Sequence, residues 1–277
     1  EKMNYNIDKA AIRRMIKESK QHAITGYQRD GSLKIILSCL DLTTLEGSDH
    51  DKKVLALCEK ARGYAKNGLL NVAAVCVYPS FARLVRKKLQ GSGVKTACVA
   101  GAFPSGQSSL KIRLDEVKYA VDEGAEEIDM VISRGRFLQG DFDFIVEEVS
   151  KIKKACGKAH LKVILETGEL GSLENIRKAA DLAIEAGADF IKTSTGKIQP
   201  AATPESVWVM LEAIRDHYKK TGKKLGIKPA GGIAEPEQAI LYANLVHHIL
   251  GAEWLNNRLF RIGASRLADN ILNFMKR

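Results

Sequence analysis

A closed (β/α)8 barrel preceded by an extra N-terminal helix is the fold this sequence predicts, on three observations. Eight short apolar runs alternate with segments of helical period along the 277 residues, the order of elements that builds a parallel sheet wrapped in helices. The runs are rich in Val, Ile, Leu, Ala and Cys, as strands buried on both faces require. The first run leads into Asp41-Leu-Thr-Thr-Leu45, not into the Gly-x-Gly-x-x-Gly turn that an open doubly wound sheet would want. No composition break or linker divides the chain, so residues 1–277 read as one barrel domain with residues 1–32 as its helical leader.

Taken in order, the leader is helical over about 7–24. The strands are then expected at 33–40, 72–77, 95–100, 127–132, 160–165, 190–193, 225–228 and 260–263. Between them, Val54, Leu57, Cys58, Ala61 and Ala65 make one helical stripe, and Ile176, Ala179, Ala180 and Ala183 another. Ser172, Thr203 and Ser265 are candidate N-caps. Pro204 follows Thr203 at the first helical position, where its missing N–H costs nothing. Gly68, Gly124, Gly187 and Gly222 stand where helices should stop. Trp208 and Trp254 fall on expected helices and read as packing.

The bulk numbers exclude several classes. No apolar stretch approaches a membrane span and no signal peptide is visible, so the expectation is a cytoplasmic protein that avoids membranes. The five cysteines are scattered and form no Cys-x-x-Cys pair, which argues against a disulfide framework or a zinc knot. No His-Glu-x-x-His occurs among the six histidines, and no metal is expected. The net charge is +10. Its basic clusters, at Lys52-Lys53, Arg86-Lys87-Lys88, 151–154 and 219–224, read as solvated faces. Aromatic residues make up 6% and avoid those clusters, so nucleic-acid binding, which wants stacking platforms among basic residues, is not expected.

Chemistry concentrates at the strand ends. Lys192, in Asp-Phe-Ile-Lys-Thr-Ser-Thr-Gly-Lys197, and Lys228, in Gly-Ile-Lys-Pro-Ala-Gly-Gly232, each end an apolar run before a glycine turn. Barrels of this kind present catalytic side chains there. Burial and a neighbouring cation both lower an amine's pKa, and a neutral amine attacks carbonyls. Gly124-Ala-Glu-Glu-Ile-Asp129 and Gly187-Ala-Asp-Phe-Ile-Lys192 share one frame. Asp129 and Lys192 should therefore lie at similar depth in strands four and six. A buried charge is costly unless paired, so Lys192, Lys228 and Asp129 read either as a catalytic cluster or as a salt-bridge network holding strands together.

The turns point to phosphate. Gly196, Gly231-Gly232 and Gly263-Ala-Ser265 follow strands six, seven and eight. Glycine lets backbone N–H groups approach an anion, and loops seven and eight are the usual phosphate site of this barrel. Asp41 and Thr43 follow strand one as binders of substrate hydroxyls or as turn caps. Cys76 ends strand two as a core filler or a substrate contact. Lys162 sits early in strand five, near the barrel bottom, where its stem is expected to snorkel. Glu166 is expected as a charge partner.

These segments resemble the deoxyribose-phosphate aldolases, a class I aldolase family. The resemblance rests on Leu40-Asp-Leu-Thr-Thr-Leu, Val75-Cys-Val-Tyr-Pro, Ala100-Gly-Ala-Phe-Pro-Ser-Gly-Gln, Glu127-Ile-Asp-Met-Val, Leu161-Lys-Val-Ile-Leu-Glu-Thr-Gly-Glu-Leu, the two lysine segments and Arg261-Ile-Gly-Ala-Ser. It implies reversible cleavage of 2-deoxy-D-ribose 5-phosphate to acetaldehyde and D-glyceraldehyde 3-phosphate, in deoxyribonucleotide catabolism, without metal or organic cofactor. It implies Lys192 as the Schiff-base lysine, Lys228 and Asp129 as its relay, and Thr195 and Lys197 as substrate contacts. Gly196, Gly231, Gly232 and Ser265 fall at phosphate positions. A homo-oligomer, dimer or tetramer, goes with the family. Three departures stand out. Some members end in a tail with a terminal tyrosine, whereas this sequence ends in Asn273-Phe-Met-Lys-Arg277. Ala234 stands where arginine is common, and Arg266 where a small hydroxyl residue is. Arg266 is expected to restore the positive charge near the phosphate. Another class I barrel aldolase, or a non-catalytic barrel that binds sugar phosphates, is the alternative.

Overall fold

The computed structural model describes residues 5–21 and 26–276. Eight parallel strands run in the order β7-β6-β5-β4-β3-β2-β1-β8. They are β1 (Leu40–Thr43), β2 (Ala74–Val77), β3 (Lys95–Val99), β4 (Glu127–Val131), β5 (His160–Ile164), β6 (Phe190–Lys192), β7 (Gly226–Lys228) and β8 (Ile262–Ala264). Parallel bridges Ile227↔Phe260 and Ala230↔Gly263 join the two ends and close the ring. A closed ring has no edge strand left to pair with another chain.

Among the described residues, two helices precede the ring where one is expected: α1 (Lys9–Gln21) and α2 (Gly26–Ser38). The leader helix expected over 7–24 corresponds to α1, with 22–24 outside the described residues, as are 1–4. The expected first strand, 33–40, is the largest correction. Leu33, Ile36, Leu37 and Leu40 are fully buried while Ile35 is exposed, the i, i+3, i+4, i+7 period of a helix face. The segment is therefore the C-terminal half of α2, and the strand begins at Leu40. One consequence is chemical. Asp41 and Thr43 belong to β1 itself, so Asp41 is a barrel residue and not a loop residue.

The remaining helices lie outside the ring: α3 (Asp51–Ala61), α4 (Ala82–Leu89), α5 (Leu110–Asp122), α6 (Arg134–Leu138), α7 (Phe142–Ala155), α8 (Leu173–Glu185), α9 (Pro204–Thr221), α10 (Pro236–Leu250) and α11 (Leu267–Met275). Their starts follow local chemistry. The Ser172 hydroxyl accepts from Asn175 N and the Thr203 hydroxyl from Ser206 N, capping α8 and α9. A reciprocal Glu235–Gln238 box opens α10. Ser265 is not a cap; Arg266 occupies that position of α11 and makes no side-chain cap bond. Gly222 ends α9 in the left-handed conformation. Trp208 lies on α9, and Trp254 on a short 3-10 turn, donating to Leu225 O.

Two apolar clusters result. The large one fills the space between strands and helices. The small one, Leu45, Ala74, Cys76, Ala97 and Val99, belongs to the side of the ring built by β1, β2 and β3. The other walls of the barrel interior carry the buried charged residues Asp41, Glu127, Asp129, Lys162, Lys192, Lys228 and Arg261, with Phe190 among them. Among the described residues, no helix is long and apolar enough to cross a membrane.

Candidate active site

The register places the charged side chains. Asp129 pairs with Lys162, and Lys162 with Phe190; Lys192 stands two residues further along β6, and strand tilt brings it level with Asp129. Followed around the ring, alternate strands build three layers of four. The lowest holds Ala74, Glu127, Phe190 and Arg261; the next Asp41, Ala97, Lys162 and Lys228; the highest Cys76, Asp129, Lys192 and Gly263. Three short residues, Ala74, Ala97 and Cys76, occupy one wall, leaving the long charged side chains to meet from the others.

They meet on carboxylates. Asp129 Oδ2 accepts from both Lys192 Nζ, at 2.8 Å, and Lys228 Nζ, at 2.7 Å. Asp129 Oδ1 accepts from Lys162 Nζ at 2.8 Å. Lys162 also meets Glu127 at 2.9 Å and Asp41 at 3.2 Å. It is therefore a fully buried member of the network, not the snorkelling stem the sequence suggests. Asp41 Oδ2 lies 2.6 Å from Lys228, and Arg261 holds Asp41 Oδ1 at 2.9 Å while gripping Glu127 with two bonds of 2.8 Å.

The electrostatics separate the three lysines. Burial pushes the Lys192 amine pKa below its ordinary value; Asp129 opposes this, and the Lys228 charge adds to it. Burial also works against charge on Lys228 and Lys162, but their carboxylates outweigh it and hold both pKa values up. Asp129 is pushed up by burial and pulled well below the carboxylate range by its three lysines. Lys192 is thus the amine most readily neutral.

It is also the one that reaches open space. A cleft of about 640 Å³ at the C-terminal mouth is lined by Lys192, by the ends of β1 and β8, by one face of α3 and by the loops after β1, β6, β7 and β8. Among them are the expected Thr43, Thr195, Lys197, Gly196, Gly231, Gly232, Ser265 and Arg266. Lys228, Asp129, Asp41 and Cys76 do not line it and lie buried beneath. The Cys76 thiol pKa is raised by burial, which keeps it a neutral filler of the wall.

Glycine shapes this mouth. At Gly231, φ is +86°, and a Cβ there would come within 2.6 Å of the Ala201 side chain and 3.3 Å of Gly196 Cα. The loops after β6 and β7 are pressed together at that point. Among the described residues the N–H groups of Gly196, Gly231 and Gly232 have no acceptor, which leaves them available to an anion. Lys53, Lys60, Lys197 and Arg266 add positive charge to the rim. Lys53, Lys60 and Lys197 are paired with Asp49, Asp269 and Glu46; Arg266 forms no ion pair among the described residues.

Two roles escaped the sequence. Glu166 forms no ion pair among the described residues: its carboxylate accepts from Thr195 N at 3.1 Å and from the Thr195 hydroxyl at 2.6 Å. It braces the loop that carries Gly196. Glu127 and Arg261 form the floor of the charged network. The rule that singled out Lys192, a charge inside an apolar run, applied equally to both.

A (β/α)8 barrel with a depressed amine at its mouth, glycine loops beside it and a cationic rim defines a class: a barrel enzyme of the aldolase kind. A model described as the DeoC/LacD family aldolase matches residues 35–252. Over 244 residues the chain is 47% identical to the deoxyribose-phosphate aldolase of Homo sapiens and 48% identical to that of Mus musculus, covering 84% of this chain and 77% of each relative. The tetrameric deoxyribose phosphate aldolase of Aeropyrum pernix superposes with a TM-score of 0.72 at 27% identity, over 95% of this chain and 97% of that one. This chain belongs to the DeoC/LacD aldolase family.

Proposed function

We propose that the protein reversibly cleaves 2-deoxy-D-ribose 5-phosphate to acetaldehyde and D-glyceraldehyde 3-phosphate, with Lys192 as the nucleophile. The observation that carries this is the position of Lys192: of the three lysines on the buried carboxylates, it alone lines the cleft, and its amine pKa is lowered. The human and mouse relatives, named for the same substrate, support it.

Lys192 Nζ adds to the C1 aldehyde of the open-chain sugar, and loss of water leaves an iminium. The C3 hydroxyl gives its proton through a water to Asp129, which lies beneath the cleft and whose charge Lys228 holds in place. The C2–C3 bond breaks, its electron pair moves into the iminium to form an enamine, and C3 leaves as the aldehyde of glyceraldehyde 3-phosphate. Protonation of the enamine at C2 and addition of water release acetaldehyde and return the amine. Every step is a proton or electron-pair transfer that needs no redox partner. Thr43, Thr195 and Lys197 line the path of the sugar; Asp41 and Cys76 act from beneath, one as a partner of Lys228 and the other as wall.

The phosphate docks on Gly196, Gly231, Gly232 and Ser265, with Arg266 as the facing charge. Arg266→Ala is expected to raise KM for the phosphorylated sugar roughly tenfold, about 1.4 kcal/mol, while leaving unphosphorylated deoxyribose unaffected. Steady-state kinetics with the two sugars checks this, and equal KM values for variant and parent on the phosphate ester would refute it. A dimer or tetramer is the assembly we expect, supported by the tetrameric relative. The whole reading is tested by adding substrate with borohydride and mapping the peptides. A reduced adduct on Lys192 is expected; one on Lys228 or Lys162 would keep the reaction class and overturn the assignment.

A further inference from the structure

We propose that Arg261, two layers beneath the cleft, is the positioning residue that makes Lys192 the barrel amine left without a proton. The inference rests on Lys192 being the nucleophile and asks what sets its charge.

Among the described residues, the interior holds three carboxylates, Asp41, Glu127 and Asp129, and four bases, Lys162, Lys192, Lys228 and Arg261, all buried. Fully ionised, the set carries one positive charge too many. A dry interior resists an uncompensated charge, and a group that can shed a proton does so. Arginine cannot, and its carboxylates reinforce its charge. The surplus therefore falls on a lysine, and the geometry selects which. Lys162 touches three carboxylates, Lys228 two and Lys192 one, on an oxygen it shares with Lys228. Lys192 is the least compensated of the three.

Arg261 supplies the surplus. It satisfies both oxygens of Glu127 and one of Asp41, leaving less negative charge to spread over the lysines above. Without it, three carboxylates would balance three lysines and Lys192 would keep its proton. The groups that bear on Lys192 are Asp129 of β4, Lys228 of β7 and Cys76 of β2. Lys162 of β5 and Asp41 of β1 follow through shared carboxylates, and Glu46, Lys53, Lys60, Lys197 and Arg266 lie around the same cleft. None of these touches Arg261 except Asp41.

The test is the pH dependence of adduct formation on Lys192, read as borohydride trapping of acetaldehyde between about pH 5 and 10. Arg261→Met should move the acid limb to higher pH and slow trapping at neutrality on the order of tenfold or more. Arg261→Lys should stay nearer the parent. The pair Glu127→Gln with Arg261→Met removes one charge of each sign, restores the surplus and should return the limb toward its original place. Glu127→Gln alone adds to the surplus and should move the limb to lower pH, which keeps the test available if Arg261→Met does not fold. A Lys192 adduct in the parent with no shift in these variants overturns the inference and leaves the reaction standing. A double variant no better than Arg261→Met also overturns it, because a purely structural role would not be rescued by a second deletion. No adduct on Lys192 in the parent removes both.

Discussion

Lys192→Met is expected to lower turnover on the order of 10⁴-fold or more and to leave no borohydride-trapped adduct, while the protein melts at the same temperature or higher. The first half follows from the lack of a substitute. Lys228 and Lys162 are fully buried and hold raised pKa values, so neither offers a neutral amine to the cleft. The second half follows from linkage. The Lys192 pKa is lowered in the folded protein, so the native state binds this proton less well than the unfolded chain. The resulting cost is full below the folded pKa and is relieved as pH rises toward the unfolded value of about 10.4. Methionine fills similar space without that cost, and Asp129 keeps Lys162 and Lys228 as partners. The gain over the parent should therefore shrink on going from neutral to alkaline pH. Residual turnover within tenfold of the parent, or a clear loss of Tm, would contradict the assigned role.

Lys162→Met should do the opposite: a loss of about 3–5 kcal/mol, as for other broken buried pairs, and a Tm lower by roughly 10 °C. Its amine bridges Asp41, Glu127 and Asp129, and removing it leaves two lysines and Arg261 to hold three buried carboxylates. The pH dependence has a sign. Those carboxylates have lowered pKa values in the native state. Their contribution is present above the unfolded value, about 4, and is lost as pH falls through the folded one. Lys162 itself, with a raised pKa, contributes below its unfolded pKa and is lost only at strongly alkaline pH. The deficit of the variant should thus be largest near neutrality and shrink in acid. Denaturant melts at neutral pH and below about pH 4 measure it. A loss under about 0.5 kcal/mol would return Lys162 to the status of a surface-like stem.

These two lysines also mark where the sequence was informative and where it was not. Lys192 was legible because it ends an apolar run and precedes Thr-Ser-Thr-Gly, two local signals that agree. Lys162 sits in a run of the same kind, but its depth depends on which residues of β4 and β6 lie beside it. Register is a property of the closed ring, and no window of sequence contains it. The misplaced first strand shows the same limit. Residues 33–40 are apolar enough for a strand, and their helical spacing had to be weighed against a neighbouring run, Leu40 to Thr43, only four residues long.

The sequence alone determined the barrel class, the helix caps at Ser172 and Thr203, the glycine loops and the two lysines at strand ends, because each of these is written in local periodicity or turn chemistry. The tertiary structure alone decided that Asp129 is shared by three amines, that Asp41 serves Lys228 beneath the cleft, and that Glu127 and Arg261 form the floor. Those relations join residues as far apart as Asp41 and Arg261, and they exist only once strand tilt stacks alternate strands into layers. The charge state of Lys192 is of the second kind, since it depends on the sum of seven buried groups drawn from β1, β4, β5, β6, β7 and the residue that precedes β8.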